Sequence, residues 1–163
     1  MQAYLNFFDK LDKLIAGASH EKRIALGLFV CHELYPDYSN FAGKNKFGDP
    51  NLLKDAIEFC EKSDGKAEDK TLSAWIEKLE PIIPDTEDYL EIEVSYALNA
   101  AGAVLELLRY LKDDNPKHIS DTCSYMIDTA DFKIADANPH LSDDGIYKHK
   151  DMLNAMKEME VRL

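Results

Sequence analysis

The run Ile83–Leu111, IPDTEDYLEIEVSYALNAAGAVLELLRYL, decides the fold. It begins as a proline-punctuated acidic loop and continues, from Val94 to Leu105, without one charged side chain. A surface helix carries an apolar stripe on one side only, so a helix apolar on nearly every face has to be wrapped by others. Ala97, Ala100, Ala101, Gly102 and Ala103 leave room for neighbouring backbones to come close. The stretch is therefore predicted as the central helix, about residues 93–112, of an all-α domain.

A helix that must be covered needs covering partners. Ile24–Cys31 is a second uncharged, mostly apolar run and is the natural packing mate. Its helix is opened by Ser19 as cap. Pro36 lacks a backbone donor, so the helix is predicted to end or kink near Leu34, with Asp37–Lys46 forming a short separate helix. Before it, Tyr4, Phe8, Leu11 and Ile15 recur at helical spacing, which predicts a first helix over Ala3–Ala16 stopped by Gly17. Phe47-Gly48-Asp49-Pro50 is a boundary: a turn glycine, an N-cap and a proline in the first helical position. Leu52, Leu53, Ile57 and Cys60 then mark a helix to about Lys62. Ser63–Lys70 reads as a polar loop, and Thr71 as the cap of a helix carrying Leu72, Trp75, Ile76 and Leu79. Asn115-Pro116 repeats the cap-then-proline signal and opens a helix whose seam is Ile119, Cys123, Met126, Ala130, Ile134 and Ala137. Ser142 caps a last helix with Ile146, Leu153, Met156 and Leu163. No period-two alternation appears. The expected architecture is a single compact bundle of seven to eight helices around the central one, one domain spanning residues 1–163.

Composition bounds what such a bundle does. The chain has 163 residues and a formal net charge of −12. That sign disfavours phosphate backbones and anionic membranes, which recruit Lys/Arg clusters, and permits basic protein partners, small cationic ligands or metals. No nucleic acid and no membrane is expected as a partner. Cys31, Cys60 and Cys123 lie outside any CxxC pair and are read as buried reduced thiols, which with the absence of a signal pattern in MQAYLNFFDKLDKL gives a cytoplasmic expectation. The expected oligomeric state is monomer or homodimer.

Three blocks in order carry a resemblance. Leu34-Tyr35-Pro36-Asp37-Tyr38 with Phe41, then Phe47-Gly48-Asp49, then Ile83-Pro84-Asp85-Thr86-Glu87-Asp88 leading into Ser95–Ala101 are similar to the bacterial YjaG-like proteins, the domain of unknown function 416. The resemblance covers about Arg23–Leu111 and extends more loosely to the end of the chain. It implies a compact all-α bacterial protein and brings no activity with it.

Two groups of residues are candidates for chemistry. Asp85, Glu87, Asp88, Glu91 and Glu93 crowd the acidic loop, and Asp49 would join them if its turn folds alongside. Hard divalent cations take several such oxygens, but the ligand spacing of an EF-hand is missing, and acids before a helix also serve as caps at its positive end. The second group is aromatic: Tyr35, Tyr38, Phe41 and Phe47 around Pro36, with Tyr96 at the start of the central helix. Aromatics with hydroxyl tips line pockets, and equally serve as core residues with the hydroxyl bonded at the edge. On the central helix, Asn99 is expected to hydrogen-bond a neighbour and Glu106 to pair with Arg109. The five histidines show no HExxH spacing, no Glu-x-x-His pair occurs, and no nucleotide or hydrolase fingerprint is present.

The expectation is therefore a non-enzymatic binding domain for a basic protein or a small ligand, with no metal and no cofactor. Its candidate ligand residues are Tyr35, Tyr38, Asp49, Asp85, Glu87, Asp88 and Tyr96. The alternative is an enzyme, metal-dependent or not, that uses the loop Asp85–Asp88 with Asp49. Either way the site is expected where the acidic loop meets Tyr35–Asp49.

Overall fold

Helix α5, Glu93–Asp113, runs through the centre of the molecule and is buried along nearly its whole length. The structure, a computed structural model, describes residues 2–163, with side chains from Tyr4 onward. Met1 lies outside the described residues. Among them there are eight α-helices and no strand: α1 Gln2–Gly17, α2 His20–Asn45, α3 Pro50–Ser63, α4 Asp69–Leu79, α5, α6 Pro116–Ala137, α7 Asp143–Tyr147 and α8 Lys150–Glu160. Short 3-10 turns, Glu80–Ile82 and Thr86–Asp88, link α4 to α5. No described helix is long and apolar enough to cross a membrane.

The uncharged run of α5 packs chiefly on α2 and α6, with α4 and α3 closing other sides. At Gly102 the space is taken by a side chain rather than a backbone. The Tyr125 ring lies so close to Gly102 that an added Cβ would meet it at 2.6 Å, and Leu107 fills the space over Gly27 of α2. The one amide buried in α5, Asn99, donates to the Thr129 hydroxyl of α6 at 3.0 Å, which satisfies it as a buried polar group requires. Cys31, Cys60 and Cys123 are all buried and unpaired, and burial pushes the Cys60 thiol up to about 12.

Helix α2 corrects one expectation. It is continuous from His20 to Asn45 with Pro36 inside it, and no break occurs near Leu34. The reason lies in where Pro36 points. It and His32, whose carbonyl loses its partner, are exposed, while Leu34, Tyr38, Phe41 and Ala42 continue the buried stripe begun by Leu26, Val30 and Cys31. An interior proline costs about 3 kcal/mol. Burial of four further core side chains, at roughly 1.5–3 kcal/mol for each large one, outweighs it.

Two other boundaries and two buried seams also differ. Helix α4 starts at Asp69, behind Glu68, whose side chain makes no cap, so Thr71 lies inside the helix. The final helix is two: α7 is capped by Ser142, and α8 by His149, whose Nδ1 accepts from the Asp151 N–H. In α8 the buried positions are Met152, Ala155 and Met159, and Leu153 faces outward. In α6, Ala137 is exposed, and Thr122, Ile127 and Thr129 take buried places that the heptad reading did not assign. The predicted caps Ser19, Asp49 and Asn115 each accept a backbone N–H as expected.

Candidate functional site

The second half of α2, the turn after it and the loop before α5 meet at one end of the molecule. Lys46 ends α2 in the left-handed conformation, Phe47 follows, and Gly48 turns the chain with φ +72°. This turn is held by Tyr38. Its wholly buried phenol donates to the Ile82 carbonyl at 2.7 Å and accepts from the Asp49 N–H at 3.3 Å, so one hydroxyl ties α2, the glycine turn and the approach to the acidic loop together. Above it Tyr89, from the acidic loop, sets its ring edge-on to Phe41 and Phe47, with centroids 4.9 and 6.0 Å away. The expected meeting of the loop with the Tyr35–Asp49 segment is therefore made, and it is made by aromatic packing and one buried hydroxyl.

The polar groups in that junction mostly serve the fold. Tyr35 donates its hydroxyl to the Pro50 carbonyl at 3.1 Å. Asp49 accepts the Leu52 N–H at 2.9 Å as the cap of α3. Asp85 accepts the Glu87 N–H at 2.9 Å and caps the Thr86–Asp88 turn. Glu87 and Asp88 are exposed, and beyond them Leu90 stands fully in solvent. The carboxylates of Asp49, Asp85, Glu87 and Asp88 gather into no three-ligand group among the described residues.

Tyr96 differs from the rest. It lines a cavity of about 250 Å³ between α2 and α5, with Asp37, Asn40, Phe41 and Lys44 from α2 and Glu93 beside it on α5. The four α2 residues follow i, i+3, i+4, i+7, one helical face. Glu93 and Tyr96 are an i, i+3 pair on the first turn of α5. Lys133 of α6 braces two of the lining residues: its ammonium holds both oxygens of Asp37, at 2.7 and 2.8 Å, and lies 5.3 Å over the Tyr96 ring. Lys44 and Glu93 face each other at 3.6 Å, too far for a hydrogen bond. Burial, then the carboxylates of Asp136, Glu93 and Asp37, hold the Tyr96 phenol above its ordinary range. Asp37, Asn40, Lys44 and Lys133 were not singled out from sequence. The spacing of the first three was visible as a polar helical face, but the residues they meet come from α5 and α6, which only the tertiary packing brings there.

The far end of α5 holds a second polar cluster. His118 of α6 has Nδ1 2.6 Å from a Glu106 oxygen and Nε2 3.0 Å from an Asp113 oxygen. Arg109 takes the other Glu106 oxygen at 2.5 Å, the predicted i, i+3 pair, and Lys117 takes Asp121 at 2.7 Å. With both ring nitrogens facing carboxylates the imidazole has to donate from both. Burial opposes its charge, but Glu106 and Asp113 outweigh that and raise its pKa. Glu106, His118 and Asp121 are the one described group with three metal-type ligand atoms within mutual reach. Three acids there face three cations, so the group reads as a charge-balanced ion network joining α5 to α6.

With fold and site in view, the relatives can be placed. The family model for a protein of unknown function, DUF416, matches residues 6–162. The chain belongs to the DUF416 family. The crystal structure of a DUF416 family protein from Shewanella baltica OS155, at 1.91 Å resolution, superposes with a TM-score of 0.81. It is 21% identical, and the match covers 96% of this chain and 81% of that one. At that identity the likeness speaks for a shared fold. No curated protein matches the chain. The DUF416 assignment agrees with the resemblance carried by the tyrosine-proline block, the Phe-Gly-Asp turn and the Ile-Pro-acidic loop.

Proposed function

We propose that this DUF416 chain is a non-enzymatic binding module whose acidic loop docks on a basic surface of a partner protein. The observation that carries this reading is the loop's exposed edge. Tyr89 anchors the loop inward against Phe41 and Phe47, while Leu90 points wholly into water between Asp88 and Glu91, with Ile92 also exposed. A large apolar side chain held out by an anchored loop loses burial for no internal gain, and carboxylates on both sides set the chemistry of what covers it. Asp85, Glu87, Asp88 and Glu91 enter none of the ion pairs among the described residues, whereas the acids near His118 are matched by cations. The partner face is a Lys/Arg-rich surface with an apolar recess, and the approach is steered by charge. Three unpaired buried thiols suit the reducing cytoplasm as the place of action.

A synthetic peptide alternating Lys and Leu is a suitable probe. Binding is measured by fluorescence anisotropy at two salt concentrations against the wild type, the charge reversal Glu87→Lys, Leu90→Ser, and the remote reversal Glu21→Lys, which changes the net charge by the same amount as Glu87→Lys. Glu21 sits about 30 Å from Phe41 along α2, at 1.5 Å per residue. The expected result is a loss of about tenfold or more from each loop change and a much smaller one from Glu21→Lys. Equal losses from loop and remote reversals would mean that net charge alone recruits the peptide, and the reading would fail.

A further inference from the structure

We infer that the cavity between α2 and α5 is a binding site for a small zwitterion of the α-amino acid class with an apolar side chain. The inference stands apart from the docking surface, since it uses Asp37, Asn40, Phe41, Lys44, Glu93 and Tyr96 and none of the loop's exposed edge.

Size comes first. About 250 Å³ is below the range of roughly 300–1,000 Å³ typical of sites for drug-sized ligands, so the occupant is smaller than a nucleotide or a cofactor. Charge comes next. Asp37 is already neutralised, because Lys133 holds both of its oxygens. Among the lining residues what remains is one cation and one anion, Lys44 and Glu93, on opposite walls and 3.6 Å apart, with the Asp136 carboxylate acting on the Tyr96 hydroxyl from outside the lining. Both are about half exposed, so neither has given up its capacity for a better partner. A simple anion entering there gains Lys44 and meets Glu93. A simple cation gains Glu93 and meets Lys44, with Lys133 nearby. A molecule carrying ammonium and carboxylate on one carbon satisfies both walls at once, each charge of the ligand opposite a charge of the protein, as in a four-membered alternating ring. Charge-assisted hydrogen bonds of this kind are about twice as strong as neutral ones.

The rest of the lining suits the rest of such a ligand. Phe41 forms an apolar floor that is nearly wholly buried, and Tyr96 offers a ring face. That ring is fixed by the Lys133 ammonium above it, so the wall is preformed. The Asn40 amide and the Tyr96 hydroxyl make no hydrogen bond to another described residue, and both remain available to the ligand's carboxylate or ammonium.

The test uses three probes of matched shape: L-leucine, leucinamide, which lacks the carboxylate, and 4-methylpentanoate, which lacks the ammonium. Binding to the full chain is followed by ¹H–¹⁵N chemical-shift titration up to about 10 mM, a concentration that reveals even millimolar affinity. L-leucine is expected to saturate, with shifts centred on residues 40–44 and 93–96, and the two truncated probes to bind at least roughly tenfold more weakly. Lys44→Met and Glu93→Gln are each expected to weaken L-leucine by a similar factor. Both side chains are half exposed, so both variants keep the fold, which their unfolding midpoints verify. Leucinamide binding as tightly as L-leucine would make this a plain cation site and overturn the proposal. So would equal binding of 4-methylpentanoate, shifts centred elsewhere, or no saturable shift with L-leucine.

Discussion

Replacing Gly48 by alanine puts the junction between α2 and the acidic loop to a direct test. Two costs arise at once. With φ at +72° the backbone is in a region where an L side chain costs about 1–2 kcal/mol. The new Cβ would also lie 2.1 Å from the Tyr38 hydroxyl oxygen, far inside any real contact. Tyr38 cannot simply move aside. Its ring is wholly buried, and its hydroxyl donates to the Ile82 carbonyl while accepting from the Asp49 N–H. Displacing it gives up two hydrogen bonds, and the buried Ile82 carbonyl left unsatisfied costs about 1–3 kcal/mol. The sum for Gly48→Ala is about 2–5 kcal/mol, a large part of the 5–15 kcal/mol that holds a typical domain folded.

The cycle with Tyr38→Phe separates the two costs. Tyr38→Phe alone is expected to cost about 1–3 kcal/mol for the orphaned carbonyl and N–H. In its background the nearest atom to the new Cβ is the ring carbon at 3.1 Å, tight but no longer impossible. Gly48→Ala should then cost only the backbone strain of about 1–2 kcal/mol, so the two changes couple by roughly 1–3 kcal/mol. Urea unfolding followed by far-UV circular dichroism measures all four proteins. If the two effects add to within about 0.5 kcal/mol, or if Gly48→Ala alone costs under about 1 kcal/mol, the claim that Tyr38 and Gly48 form one fastening is wrong.

Two further outcomes follow from charge. The folded-state pKa of His118 is raised by Glu106 and Asp113 against the opposing effect of burial, so its contribution to stability is fully present below the ordinary histidine value of about 6.5 and is lost as pH rises through the raised one. The stability gap between wild type and His118→Gln, read from urea midpoints, should therefore narrow from about pH 5.5 to about pH 9, and a gap that stays constant would show that the ring is not held as an imidazolium. Asp128 is the opposite case. Burial, then the neighbouring Asp131 carboxylate, hold its carboxyl above the ordinary range, so its ionised form burdens the fold at neutral pH. Asp128→Asn should raise the melting temperature at neutral pH, and the gain should fade as pH falls through the raised folded value and be gone below about 4, where the unfolded chain's carboxyl is also protonated. A variant that melts lower than wild type at neutral pH would mean that the carboxylate makes a contact worth more than its burial costs.

The parts of the fold legible in the sequence are those fixed by local chemistry or by an extreme of pattern. An uncharged run of a dozen residues admits one reading, and α5 took it. The pairs Asp49-Pro50 and Asn115-Pro116 mark helix starts because a cap and a residue without a donor suit that end and no other. The misses were decided by partners far away in the chain. Pro36 stays inside α2 because core contacts on both sides of it are made with α5 and α6. Thr71 is the local exception: α4 begins two residues before it, at Asp69, so it lies inside the helix. The aromatic block was found, yet Tyr35, Tyr38, Asp49 and Asp85 turned out to carry fold-holding hydrogen bonds. A tyrosine that fastens a turn and one that faces a cavity look the same in sequence. Only the arrival of Lys133 from α6 over Tyr96, and of Lys44 opposite Glu93, tells them apart.

The two ends of α5 show how one charge excess is distributed. At its C-terminal end, where the helix dipole is negative, Arg109, Lys112, Lys117 and His118 gather, and Glu106, Asp113 and Asp121 are each matched by a cation. Lys112 also reaches across to Ser73 of α4 at 2.7 Å. At the N-terminal end the dipole is positive and tolerates acids, and there the carboxylates of the loop stand without cations. The dipole therefore lets a stretch of unmatched acids exist at one end of the core helix at little cost to the fold, while the same acids at the other end would repel it. Charge that the fold does not consume is free to act on something else. The exposed edge around Leu90 and the cavity beside Tyr96 both lie at that end, so reversing the sign of this end should alter binding far more than stability, whereas breaking the His118 network should do the reverse.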